Sequence, residues 1–307
     1  MNKKLITKII TIGLVLILLG GAVITTYAAI TKVDQVKVAV KKTGVTPKIE
    51  SPKSITKDEL ALKVKREPKK EVDISDVNIS DDFDKEVRDS DKTNSNKNIN
   101  NLKKALKELE IPETYRDKIK ALIKKGYRLP DILIAYNFLN EYYGKISQIE
   151  GLLEKNKNGK TWDVVFNEYT MNKGEFIPTN FDKSYIENLI KTDGISADDI
   201  MIADRMAFNG TKKFDELIDI KKTGKNWKDI KVENEIINME EKLLHTAISG
   251  TEIKKITQSG ELNEKEAIEA LVIAQKMGKT DDEVIAKMKK HEKKEHIYAE
   301  YFNQKYK

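Results

Sequence analysis

The chain has 307 residues, of which 35% are charged and 39% are hydrophobic, and its formal net charge is +6 at pH 7. The absence of cysteine excludes disulfide bonds, thiolate metal sites, cysteine nucleophiles and a lipid-modified N-terminal cysteine. Residues 99–307 carry a net charge of only about +1, which argues against a nucleic-acid-binding domain, because such domains concentrate positive charge.

The N-terminal residues 1–30 form an apolar segment that begins with three lysines. A basic start, an apolar run and small residues at the end are typical of a secretory signal peptide, with cleavage predicted between Ala28 and Ala29. The run from Ile9 to Ile30 is 22 residues long, which is also enough for an uncleaved membrane anchor. Both alternatives predict an extracytoplasmic, cell-envelope-associated protein that is either secreted or membrane-anchored.

Residues 31–98 lack sustained apolar periodicity, contain prolines and place a basic block before an acidic one. Such a segment buries too little apolar surface to offset the entropy lost on ordering. We therefore predict a disordered charged spacer. Its acidic part does not predict a calcium loop, because an EF-hand needs a glycine at its sixth position and this stretch has none.

From residue 99 onward, apolar residues recur at helical spacing, and one pattern occurs three times. Ile119, Ile186 and Ile253 begin the pattern at intervals of 67 residues, and a glycine turn and a second apolar helix follow each of them. We predict an all-α fold of three stacked units of about 67 residues, because units this small bury their apolar faces against neighbours. The predicted bounds are 99–175 with a leading helix, 176–249, and 250–307 with a C-terminal helix. The Lys/Glu-rich end of the third unit is typical of a terminal repeat that faces solvent.

The first two units end in nearly identical segments, Gly159-Lys-Thr-Trp162 and Gly224-Lys-Asn-Trp227. In each, the glycine ends one helix and the residue before tryptophan caps the next. We interpret both tryptophans as core residues, with exposed stacking platforms for a ligand as the alternative. The G-K-x-W-x-x-[IV] turn resembles a motif of exported helical-repeat proteins of unassigned function from low-GC Gram-positive bacteria. The resemblance implies export and a helical repeat, and it implies no activity.

No residue pattern predicts a catalytic site, a metal site or a bound cofactor. His291 and His296 are five residues apart, so on one helix they would point roughly 140° apart, whereas a zinc pair needs a spacing of four. A nucleophile elbow and a phosphate-binding glycine loop are both absent from the sequence. Tyr142, Tyr143 and Phe208 lie beside glycine turns, where aromatic residues form either core or a binding rim.

These patterns favour a non-catalytic interaction module that binds a protein partner or a cell-wall polymer, and that contacts the membrane through residues 1–30 if they are not cleaved. One alternative is a wall-directed hydrolase that uses carboxylates, which would require a cleft with two inward carboxylates. A second is a helix-turn-helix nucleic-acid binder around the Gly278 turn, which lysines follow. The near-neutral charge of residues 99–307 argues against that second alternative.

Overall fold

The computed structural model describes residues 14–19, 22–27, 72–191, 193–210 and 212–307. In the first two ranges, strands β1 (Leu14–Leu19) and β2 (Ala22–Tyr27) pair antiparallel. Their β-branched residues favour strands. This pairing differs from the helix that an uncleaved anchor would form. Ala28 and Ala29, the predicted cleavage residues, lie outside the described residues.

The described residues from position 72 onward form fourteen α-helices and no β-strand, which confirms the all-α prediction for this part of the chain. None of the helices in the described ranges is long and apolar enough to cross a membrane.

Two helices, α1 (Asp81–Ser90) and α2 (Ser95–Glu108), precede the region of the predicted repeats. Ser80 caps α1 by accepting a hydrogen bond from the backbone N–H of Phe83, and acidic residues in the first turn suit the helix dipole. Phe83 and Val87, one turn apart, are both buried in the main hydrophobic core. The prediction of a disordered spacer up to residue 98 is therefore wrong for these helices, because one apolar pair was hidden among acidic residues.

The next four helices are α3 (Glu113–Lys124), α4 (Leu129–Glu141), α5 (Ile149–Lys157) and α6 (Trp162–Lys173). A 3-10 turn (Ile146–Gln148) leads into α5. Almost every residue of α4 is buried, so this helix forms the centre of the set. Phe138 of α4 stacks on Phe166 of α6, with ring centroids 3.8 Å apart.

A second set contains α7 (Lys183–Lys191), α8 (Ala197–Phe208), α9 (Phe214–Lys222) and α10 (Trp227–Glu233). Ser196 and Asp199 form a capping box at the start of α8. The chain after α10 returns to the first set, where the N–H of Ile237 donates to the carbonyl of Gly144 at 2.9 Å. The second set is therefore joined to the first by backbone hydrogen bonds.

A third set contains α11 (Gly250–Thr257), α12 (Glu264–Met277), α13 (Asp281–Lys289) and α14 (Lys294–Tyr306). The prediction that this end of the chain faces solvent is wrong for α14. Tyr298, Phe302 and Tyr306 recur every four residues and are all buried, forming one apolar stripe among charged residues. The hydroxyl of Tyr306 accepts a hydrogen bond from Asn137 of α4 at 2.7 Å.

The hydrophobic cores show how the three sets are arranged. The first and third sets share one large core, in which α14 packs against α4 and α6. The second set has a separate core that also includes Tyr143 from the first set. In a linear array each unit contacts only its neighbours along the chain. The third set instead returns to pack against the first.

Candidate functional site

A cavity of about 450 Å³ lies where the three sets of helices meet. Its wall is formed by residues at the ends of α4 and α6, in the segment after α6, on α8, in the first two turns of α12 and in the first turn of α14. The volume lies within the range of small-ligand sites in proteins, which is about 300–1,000 Å³. The cavity therefore combines residues from all three sets in one candidate site.

The segment after α6 shapes one side of this cavity. Gly174 ends α6 with a φ of 81°, a conformation that residues with side chains rarely adopt. Phe176 then packs against Phe208 of α8, with ring centroids 5.3 Å apart. Further along, the N–H and hydroxyl of Thr179 donate to the carboxylate of Asp204 at 2.8 and 2.7 Å. These contacts hold the segment against α8.

Arg205 of α8 lines the cavity, and only 4% of its surface is exposed. Its Nε and Nη1 atoms are buried and have no hydrogen-bond partner among the described residues. The guanidinium carbon lies 4.8 Å from the ring centroid of Phe176 and 5.5 Å from that of Tyr143. Burial lowers the pKa of Arg205, but an arginine keeps its proton in proteins. The cavity wall thus contains a buried cation with unused hydrogen-bond donors.

Two of the acidic residues in the cavity wall are neutralised by lysines that also line it. Lys265 pairs with Glu175 at 2.5 Å, and Lys294 pairs with Glu269 at 2.9 Å. The hydrogen bond from Lys265 holds the pKa of the Glu175 carboxyl below its usual range. Both of these carboxylates therefore lie within ion-pair distance of an ammonium group.

The other two acidic residues of the wall accept hydrogen bonds as well. Glu266 accepts from the backbone N–H of Asn263 at 2.8 Å, within the capping box of α12. Glu295 accepts from the hydroxyl of Tyr142 at 3.4 Å. Burial, with Glu295 adding to it, raises the pKa of Tyr142, so this hydroxyl stays a donor. All four carboxylates of the wall thus have partners.

Lys173 is the second cation of the wall without a carboxylate partner among the described residues. Its ammonium lies 6.0 Å from the ring centroid of Phe208 and 5.9 Å from that of Tyr169. Burial lowers the pKa of Lys173, and the positive charges of Lys145 and Arg205 add to this effect. The uncompensated positive charge of the cavity therefore lies on its α6 and α8 side.

The structure separates the three aromatic residues predicted as a binding rim. Tyr142 and Phe208 line the cavity, and Phe208 is 38% exposed. Tyr143 is fully buried and lies beneath the guanidinium of Arg205. The binding role of Tyr142 and Phe208 stays a prediction, whereas Tyr143 is not part of the cavity wall.

The two tryptophans of the repeated segment are buried away from this cavity, with 3% of Trp162 and 0% of Trp227 exposed. The indole N–H of Trp162 donates to Asp131 at 3.4 Å, and that of Trp227 donates to Asp199 at 2.6 Å. In both sets the acceptor is an aspartate in the first turn of the second helix. Each tryptophan therefore connects the fourth helix of its set to the second.

The remaining positions of the predicted repeat have the following environments. Gly159 and Gly224 both have a positive φ, of 93° and 87°, immediately before the segments that contain the tryptophans. Ile119 and Ile253 are buried, and Ile186 is partly buried against the core of the second set.

In the part of the chain that the structure describes, one cluster of side chains could offer ligands to a metal ion. Glu292, His296 and Glu300 place ligand atoms within 4.8 Å of one another, and all three residues are at least partly exposed. Glu300 pairs with Lys287, and this hydrogen bond lowers the pKa of Glu300. His291, the other histidine considered from the sequence, lies in the turn before α14 rather than on that helix. Exposure and the lysine partner favour a solvated charged surface.

Sequence reasoning did not identify Arg205 as a site residue, although the sequence contains a signal. Asn137, Arg205 and Lys276 each lie two residues after the alanine shared by the second helices. Each is a polar residue on a helix that is mostly buried. Asn137 donates a hydrogen bond to Tyr306, and Lys276 forms an ion pair with Glu141. In contrast, two nitrogens of the Arg205 guanidinium have no hydrogen-bond partner among the described residues. This difference is visible only in three dimensions.

The chain has no match among protein-family models, among curated proteins or among solved structures. The functional argument therefore depends on the cavity itself.

Proposed function

We propose that this protein is a non-catalytic binding module, exported or tethered to the membrane by its N-terminal segment, that binds a protein partner or a cell-wall polymer. The observation that carries this proposal is the cavity of about 450 Å³ between the three sets of helices, with Arg205 and Phe208 in its wall. Binding sites typically combine an apolar or aromatic lining with a few converging polar groups.

The proposal includes three copies of a four-helix unit, beginning at α3, α7 and α11. In each set the second helix starts with an acidic residue in its first turn, at Asp131, Asp199 and Glu266. The Trp162–Asp131 and Trp227–Asp199 hydrogen bonds are equivalent in the first two sets. At the corresponding first position of α14 the third set has Lys294, which pairs with Glu269 in the cavity wall. In this interpretation, the third unit lacks the tryptophan–aspartate hydrogen bond of the first two units and has Lys294, a residue of the cavity wall, at the tryptophan position.

The state of the carboxylates favours binding over hydrolysis. A carboxylate-based hydrolase needs one protonated carboxyl as acid and one ionised carboxylate as base or nucleophile. Glu175 and Glu269 are ion-paired with lysines, and Glu266 and Glu295 accept hydrogen bonds within the wall. Among the described residues of the wall, the buried groups without a hydrogen-bond partner are donors of Arg205, which bind anions and do not activate water.

Charge argues against the nucleic-acid alternative. The described residues of the cavity wall include four basic and four acidic side chains, so together they carry no net charge. A phosphate backbone is bound by an uncompensated track of lysine and arginine. The wall offers such charge only locally, at Arg205 and Lys173.

Photo-crosslinking in intact cells tests the binding function. A photoreactive phenylalanine replaces Phe208 in the tagged full chain, and a control chain has it at Lys118, an exposed residue of α3 outside the cavity. We expect one defined adduct from position 208 and none from position 118. Protease treatment then identifies a protein partner, and a wall-degrading enzyme identifies a polymer. Absence of an adduct at 208, or the same adducts from both positions, would contradict the binding function.

A further inference from the structure

We infer that the cavity binds the terminal carboxylate of a peptide chain, and that Arg205 is the residue that binds this carboxylate. The inference rests on the proposed binding function and assigns a chemical class to the ligand. It depends on three features: the unpartnered guanidinium, the charge balance of the wall, and the aromatic surface at the entrance.

The guanidinium is the first feature. Burying a charged group without a partner is costly, so buried charges are normally paired and hydrogen-bonded. Arg205 is buried, its Nε and Nη1 atoms have no acceptor among the described residues, and no carboxylate of the wall pairs with it. A guanidinium matches a carboxylate through two parallel N–H···O bonds. Phe176 and Tyr143 pack against the guanidinium and limit its rotation.

The charge balance is the second feature, because it limits the charge of the ligand. Lys265 and Lys294 are already neutralised by Glu175 and Glu269. Glu266 and Glu295 accept hydrogen bonds only from neutral donors among the described residues, so these two carboxylates would repel a ligand with several negative charges. One carboxylate placed beside Arg205 adds the missing acceptor without such repulsion. The wall therefore favours a single anionic group over a polyanion.

The aromatic surface is the third feature. Phe208 is 38% exposed, and Met171, which also lines the cavity, is 73% exposed. Both are large apolar side chains that solvent contacts in this structure. The side chain of the residue that carries the carboxylate would cover them. An apolar C-terminal residue fits this surface better than a charged one.

Calorimetric titration of the full chain with four short peptides tests the inference. The probes are an N-acetylated tripeptide ending in L-alanine, its isomer ending in D-alanine, and the C-terminal amides of both. We expect at least one acid to bind about tenfold or more tightly than its amide, the effect of losing charge-assisted hydrogen bonds. The L isomer corresponds to the end of a protein, and the D isomer to a cell-wall peptide. Acids that bind no better than their amides would overturn the inference.

Two variants locate the effect at Arg205. Arg205→Met removes the guanidinium, and Arg205→Lys keeps the charge but removes the planar pair of donors. We expect the acid-to-amide affinity ratio to fall to about one for methionine and to an intermediate value for lysine. A structural defect would weaken acid and amide equally, so the ratio separates the two causes. Arg88→Met, at a half-exposed position of α1, serves as the control and should leave the ratio unchanged. An unchanged ratio in Arg205→Met would refute the assignment.

The inference and the proposed function fail differently. An adduct from position 208 in cells, together with equal affinities for acids and amides, would reject the carboxylate while the binding function stands. Absence of both the adduct and acid binding would reject the binding function and the inference together.

Discussion

The buried tryptophan of the second set allows a prediction whose magnitude follows from the structure. Trp227 is fully buried, so Trp227→Ala should cost about 3–5 kcal/mol, the range for deleting a large buried aromatic side chain. Trp227→Phe keeps most of the apolar surface but loses the 2.6 Å hydrogen bond to Asp199. A hydrogen bond to a charged group contributes about 1.5–3 kcal/mol. We therefore expect Trp227→Phe to lower the free energy of unfolding by about 2 kcal/mol.

Trp162 provides an internal comparison at the equivalent position. Its hydrogen bond to Asp131 is 3.4 Å long, near the limit for such an interaction, and Asp131 also pairs with Arg128 and Lys307. Trp162→Phe should therefore cost about 1 kcal/mol less than Trp227→Phe. Val164→Ala, at an exposed position of α6, should change stability by less than about 0.5 kcal/mol and serves as the control.

Urea denaturation of the full chain, followed by intrinsic fluorescence and circular dichroism, measures these differences. Hydrogen exchange then shows where protection is lost. Because the second set has its own core, Trp227→Ala should expose α7 to α10 first and leave α12 and α14 protected. Equal losses of unfolding free energy in Trp227→Phe and Trp162→Phe would contradict the stronger hydrogen bond of Trp227. A nearly unchanged unfolding free energy in Trp227→Ala would contradict its role as a core residue.

Three further predictions concern the N-terminal helix, a buried lysine and location. Phe83→Ala should lower the free energy of unfolding by about 3 kcal/mol in the same urea assay, because the side chain is buried in the main core; a neutral result would mean that α1 does not pack there. Burial lowers the pKa of Lys231 to about 7, whereas the ordinary value, which applies to the unfolded chain, is 10.5. Between pH 7 and pH 10.5 unfolding therefore takes up a proton, so the free energy of unfolding should rise with pH across this interval. In Lys231→Met the free energy of unfolding should lack this rise. If it has the same pH dependence in the variant and in the unmodified protein, the lowered pKa of Lys231 is contradicted. Protease added to intact protoplasts should digest residues 99–307 if the protein is exported, and full protection would reject export.

Much of the helical structure could be predicted from local sequence. Ser196 with Asp199 and Asn263 with Glu266 form the capping boxes that begin α8 and α12, and their spacing is visible in the sequence. Positive φ values at glycines such as Gly224 end helices for a similarly local reason. These features depend on residues three or four positions apart, so they need no tertiary information.

The two elements that were wrongly predicted share one cause. α1 has two buried apolar residues among acidic ones, and α14 has its apolar stripe among lysines and glutamates. The average hydrophobicity of each segment is low, because the few apolar residues of its buried face are outnumbered by charged residues. Average composition therefore predicts that both segments are solvent-exposed. Packing partners distant in sequence, such as Asn137 for Tyr306, provide the rest of their stability.

The candidate site could not be assembled from sequence for a related reason. Lys265 and Glu175 are 90 residues apart, and Lys294 and Glu269 are 25 residues apart. The first pair depends on how α12 packs against the segment after α6, and the second depends on how α14 lies beside α12. Only after these pairs are known does Arg205 remain as the buried cation with unused donors.

Competition at the cavity tests the account most directly. In cells with the photoreactive residue at position 208, added peptide with a free carboxylate should reduce the adduct, and its amide should not. The same peptide should have no effect when Arg205 is replaced by methionine. An adduct at position 208 that excess acid and amide leave equally unchanged would contradict the claim that Arg205 binds the partner through a carboxylate.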